Sequence, residues 1–208
     1  MVGKIQSGAK EKEMNRLRQY IRKILLEGMS TADSLPRGTY FGFSDSQSEF
    51  ELSVYAPTIA YDEEEDIVED ETTELRKVGS IRAKPMKTCE GAYELIWIHV
   101  RSDFSGLGPM MTDLTMEILN ARHGAPLALD RDEVSIEARD MFEYYITNRS
   151  HEVDIISLNP TECPSSAAEY HESSFDYMKD PSSSPFYVAI QKRDGKTFKS
   201  LSGMLHEE

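Results

Sequence analysis

One stretch constrains this chain more than any other, Ala92–Arg122 (AYELIWIHVRSDFSGLGPMMTDLTMEILNAR), because its apolar period changes midway. Residues 92–100 carry Tyr93, Ile96, Trp97, Ile98 and Val100, aromatic and β-branched types that suit a largely buried strand. From Pro109 onward Met110, Met111, Leu114, Ile118 and Leu119 fall three or four apart, as one helical face requires. Proline is accepted in a first helical turn, where its missing N–H goes unused. Between strand and helix lies Gly106-Leu107-Gly108-Pro109. Glycines there let the backbone approach a ligand closely, and the N–H groups of a helix start attract anions. The stretch predicts strand, turn and helix, with a seat for a phosphate-bearing ligand at the turn.

The flanking segments supply a sheet. Residues 10–28 predict a helix with Met14, Leu17, Ile21, Ile24 and Leu25 inward, a basic outer face that reads as solvated, and Gly28 as its stop. Ser30–Arg37 reads as a loop. Gly38–Phe43 and Glu49–Tyr55 read as strands joined by Ser44-Asp45-Ser46, with Phe50, Leu52 and Val54 on one buried face. Asp62–Glu74 holds nine acids in thirteen residues and reads as a solvated, partly disordered loop, with a decoy for basic surfaces as the functional alternative. Val78–Ala83 is a strand expected to pair as a hairpin with 92–100.

Downstream, the helix ends near Arg122, at His123-Gly124-Ala125-Pro126. Leu127–Asp130 is a short strand, and Ser135 caps a second helix, Ser135–Asn148, with Met141, Phe142, Tyr145 and Ile146 inward. Val153–Leu158 is a strand, 159–185 a long Pro- and Ser-rich loop or insertion, and Phe186–Gln191 with Thr197–Leu201 a hairpin turning at Asp194-Gly195. Strands in runs with two crossover helices predict a single α+β (α/β) domain, a mixed sheet flanked by helices.

Composition narrows the partners. With 37 acids against 23 bases the formal charge is −14, which disfavours nucleic acid and anionic membranes and favours cationic small molecules or basic proteins. Homo-oligomerisation stays open. No apolar run reaches the ~20 residues that span a bilayer, and MVGKIQSGAKEK lacks a signal-peptide core. Cys89 and Cys163 make no disulfide framework and no zinc cluster, so a cytoplasmic setting is the expectation.

Residues 78–148 resemble the acetyl-coenzyme-A-binding core of the GNAT N-acetyltransferases. Their signature, Gln/Arg-x-x-Gly-x-Gly/Ala, aligns with Asp103-Phe104-Ser105-Gly106-Leu107-Gly108, and the short strand and helix of 127–146 follow in the family's order, with Ala138 and the aromatics after it in the usual places. The resemblance implies a mostly antiparallel central sheet and acetyl-CoA as co-substrate. It implies that Phe104, Ser105, Gly106, Leu107, Gly108 and Met110 cradle the phosphates, while Ile98–Val100 bonds the pantetheine arm along an open strand edge. Asp103 departs from the signature, an anion where the family carries Gln or Arg. Arg101 is the candidate to supply the missing base. An acetyl transfer to an amine needs a proton acceptor and a donor for the thiolate. His99 and Asp130 are the base candidates. Strict alignment puts Phe142 at the family's tyrosine, and Tyr145 is the chosen acid. The implied function is acetyl-CoA-dependent N-acetyltransfer to an amine of a small molecule or protein. The alternative is a catalytically degenerate copy of the fold, an interaction or virion protein offering acidic surface to a basic partner. The run LDRDEVSIEARDMFEYYITNR also resembles acetyltransferase-like proteins of bacteriophages, which implies a host-cytoplasm or virion setting.

Overall fold

Alternation of Phe50, Leu52 and Val54 puts every second side chain of their strand on one side, and the sheet is assembled on that apolar face. The computed structural model describes residues 34–59, 73–89, 91–104, 106–168, 184–193 and 195–207. Strands β1 (Tyr40–Asp45), β2 (Phe50–Ile59), β3 (Thr73–Pro85) and β4 (Tyr93–Val100) form an antiparallel meander. Helix α1 (Leu107–His123) carries the chain to β5 (Leu127–Leu129), which lies parallel to β4. Helix α2 (Ile136–Asn148) leads to β6 (Val153–Ser157), and β7 (Val188–Lys192) inserts antiparallel between β5 and β6. Helix α3 (Lys196–Leu201) precedes β8 (Leu205–Glu207), which joins β1 in parallel. The sheet order is β6-β7-β5-β4-β3-β2-β1-β8, an eight-stranded mixed sheet in an α+β fold.

Most sequence expectations hold within a few residues. The strands expected at Gly38–Phe43, Glu49–Tyr55 and Val78–Ala83 run longer or shifted, and β3 extends back to Thr73, into the end of the acidic run. Helix α1 begins two residues before Pro109, so Gly108 lies inside its first turn rather than ahead of it. Ser135 caps α2 as expected, its Oγ accepting from the Ala138 N–H at 3.2 Å. The helix expected at 10–28, most of the acidic run and residues 169–183 of the long loop lie outside the described residues.

Two expectations are corrected. No hairpin follows Asp194-Gly195: Gly195 starts α3, whose Thr197 and Phe198 N–H groups donate to the Glu117 carboxylate of α1. A distant carboxylate thus supplies the cap that local sequence lacks. The cysteines, read as unlinked, are bonded to each other, Cys89–Cys163, with Cα atoms 5.5 Å apart. That bond runs against the reasoning from a reducing cytosol.

Helix α1 is the centre of the core. Met110 through Leu119 are buried without interruption, between the apolar sheet face (Phe41, Leu52, Val54, Ile81) and α2 (Met141, Phe142, Tyr145). Gly79 of β3 makes room for it, since a Cβ there would come within 2.9 Å of Met111 Sδ. Full burial makes charged residues of α1 depend on partners. Asp113 takes Tyr145 Oη at 2.6 Å, Arg149 at 2.9 Å and 3.1 Å, and Lys192 at 3.3 Å. Glu152 answers both cations from the other side, Lys192 Nζ lying 2.9 Å from its Oε2. Among the described residues no helix is long and apolar enough to cross a membrane.

Candidate functional site

The site arises where β4 and β5 part. Pairing covers only Tyr93↔Leu127, Glu94↔Ala128 and Leu95↔Leu129. Just past β5, Asp130 turns the chain away: its Oδ1 accepts from the N–H groups of Asp132 at 2.7 Å and Glu133 at 3.1 Å. β4 continues from Ile96 to Val100 with only β3 beside it. Its register with β3 jumps from Arg82↔Trp97 to Ala83↔Leu95, leaving Ile96 as the extra residue of a bulge. A bulge bends its strand and re-aims the side chains that follow. A cavity of about 300 Å³ opens in the gap, walled by Ile96, Trp97 and Ile98 on one side and Leu129, Val134 and Ala138 on the other.

At the far end of that free edge sits the start of α1. Gly106 caps the helix in the left-handed region, φ 86°, a conformation that favours glycine. Among the described residues no side chain caps the helix there. A Cβ on Gly108 would lie 3.8 Å from Ile98 and 3.9 Å from Val100, which lays the helix start directly against β4. Ile98 and Val100 are half-buried on that side. Leu107 and Met110 turn their side chains into the core, leaving the backbone as what they can offer a ligand; Phe104 packs against the core edge. Ser105 lies outside the described residues. Arg101 and Asp103, both largely exposed, bind each other in a two-point ion pair at the turn, Nε–Oδ1 at 3.2 Å and Nη2–Oδ2 at 3.1 Å.

The proton-transfer candidates fall in three places. Asp130 lines the cavity, together with Glu133 and the cap residue Ser135, neither of which the motif suggested. His99 stands on the opposite sheet face from α1, exposed, its ring 6.4 Å from that of Trp97. Tyr145 is 1% exposed, and its hydroxyl is committed to Asp113 with Pro109 O a further 3.2 Å away. Burial, then the Asp113 charge, hold that hydroxyl well above an ordinary phenol in pKa. The structure therefore brings Asp130 to the cavity wall and leaves His99 and Tyr145 off it.

Trp97, expected in a largely buried strand, is instead 54% exposed, on the part of β4 that lines the gap. Among the described residues no group of three or more His, Cys, Asp or Glu is arranged to hold a metal ion. Comparison with protein-family models, with characterised proteins and with solved structures finds no match to this chain, so the reading of the site rests on its own geometry.

Proposed function

We propose that the chain is a GNAT-like N-acetyltransferase that takes acetyl-CoA and an amine. The observation that carries this reading is the divergence of β4 from the parallel strand β5, with a cavity in the gap and a helix start without a side-chain cap at its end. An extended ligand arm can add hydrogen bonds to the free β4 edge from Ile96 to Val100, as an extra strand would. Its phosphates then meet the N–H groups of Leu107, Gly108 and Met110. Arg101 stands beside them as the nearby cation, already sharing its charge with Asp103.

The thioester lies in the cavity, where Asp130 and Glu133 attract the ammonium of the acceptor. Asp130 takes a proton from that ammonium, directly or through water. The freed amine attacks the thioester carbonyl, forming a C–N bond as the C–S bond breaks; the thiolate leaves with its electron pair, and the nitrogen gives up its second proton to solvent. With Tyr145 turned to Asp113, that thiolate is protonated by solvent in this scheme, and His99 serves from the far face of β4 only where the acceptor reaches around Trp97. Small-molecule amines and protein amino groups both fit such an open gap.

The burial of Tyr145 also favours a second reading, a copy of the fold that binds without turning over and offers acidic surface to a basic partner. Release of free thiol from acetyl-CoA, followed over a panel of polyamines, aminoglycosides and basic peptides, separates the two. Amine-dependent thiol release lost in Asp130→Asn supports the enzyme; acetyl-CoA binding with no thiol release from any amine supports the silent copy.

A further inference from the structure

A second cavity, of about 430 Å³, lies beside the first and shares no lining residue with it. Three cations line it, Lys84, Lys87 and Arg131, against two carboxylates, Glu94 and Asp132. Both carboxylates are already engaged. Glu94 holds Lys84 at 3.2 Å and accepts from the Arg131 N–H at 3.3 Å, while Asp132 accepts from Ser166 Oγ at 3.3 Å. Arg131 is the unusual member. It is 6% exposed, donates Nη2 to the carbonyl of Phe186, and leaves Nε and Nη1 buried without a hydrogen-bond partner among the described residues.

A buried guanidinium with unused donors is costly. An oxyanion is the group that relieves it, because its charge opposes the guanidinium's and its oxygens accept N–H donors. The Thr88 hydroxyl stands on the same walls and can donate to a remaining oxygen, while those of Ser165 and Ser166 are turned to the Arg131 carbonyl. The walls are held in place covalently: Cys89 follows Thr88 on one side, Cys163 precedes Pro164 on the other, and the disulfide joins them.

We infer that this cavity binds the oxyanion of a small molecule, a carboxylate or a phosphate, on Arg131 and Lys87. It is a cationic site in a chain of formal charge −14, and it stands whether or not the neighbouring gap takes acetyl-CoA. The test is calorimetric titration of the oxidised protein with inorganic phosphate and, separately, with acetate, at constant ionic strength in chloride. Saturable one-site binding of at least one anion, weakened about tenfold by Lys87→Glu, is the expected result. Lys87 is exposed, so this charge reversal leaves the core intact and reads the site alone. Arg131→Lys keeps the charge but removes the fork, and should abolish any preference between the two anions. The proposal is overturned by absence of saturable heat with both anions at about 50 mM, or by equal affinity in the wild type and Lys87→Glu.

Discussion

Arg101 grips Asp103 through two parallel contacts, at 3.2 Å and 3.1 Å, across the turn that ends β4 and begins α1. The carboxylate that departs from the acetyltransferase signature is thereby turned toward a guanidinium. Exposed pairs of this kind add little to stability, so their effect is felt on the charge at the turn. Replacing Asp103 with Asn frees Arg101 for a phosphate and should tighten acetyl-CoA binding several-fold. Arg101→Ala leaves the carboxylate alone and should weaken it about tenfold. Affinities at two salt concentrations check both, since the difference should shrink as salt rises.

Asp113 is the residue on which the core depends most. It receives Tyr145, Arg149 and Lys192, all buried, and Asp113→Ala leaves two cations facing Glu152 alone. Breaking a buried pair by removing one partner costs about 3–5 kcal/mol. Urea unfolding should show that loss with an unchanged slope, and Tyr145→Phe, which removes one hydroxyl donor, should cost about 1 kcal/mol by comparison. A Tyr145→Phe protein that keeps its stability but loses turnover would instead restore the tyrosine as an acid.

Glu152 sets an acid limit. Hydrogen bonds from Arg149, then Lys192, hold its carboxyl down at about 2, against 4.5 for a free glutamate. A group whose folded pKa is depressed contributes stability that is full above the unfolded value and lost as pH falls through the folded one. The protein should therefore lose this contribution between about pH 4.5 and pH 2. Stability measured across that range should fall less steeply in Glu152→Gln than in the wild type. Its pH-independent cost at neutral pH should be about 1–2 kcal/mol.

The Cys89–Cys163 bond closes a long loop, its ends 74 positions apart in sequence. Such a cross-link stabilises mainly by restricting the unfolded chain, typically by about 2–4 kcal/mol. Reduction, or Cys89→Ser with Cys163→Ser, should lower the denaturation midpoint accordingly. Equal midpoints with and without reductant would show that the bond contributes nothing in solution.

The strand–turn–helix of 92–122 was legible because its two periods are local, and Ser135 because a cap is a three-residue event. What lay hidden depends on distant partners. Thr197–Leu201 reads as a strand only because Asp194-Gly195 is a hairpin-turn dipeptide, yet it is a helix because Glu117 caps it from α1. Asp113 breaks an apolar stripe in the sequence and becomes explicable only once Arg149 and Lys192 are beside it. The cysteines carry no spacing signal, and the β8 strand of three residues pairs with β1 across almost the whole described chain. The phosphate seat is an expectation drawn from two glycines. The cavity could not be read, since the gap exists because β5 stops at Leu129 while β4 runs on to Val100.

The central claim is that the free edge of β4 and the start of α1 together hold acetyl-CoA. Calorimetric titration of the wild type and of Gly108→Glu tests it most directly, because a Cβ at Gly108 meets its neighbours only at ordinary contact distance and the fold should survive. The account predicts saturable one-site binding in the wild type and its loss in Gly108→Glu, whose carboxylate would stand among the phosphates while melting temperature stays within a few degrees. No binding by the wild type at millimolar acetyl-CoA, or the same affinity in both proteins, would contradict it.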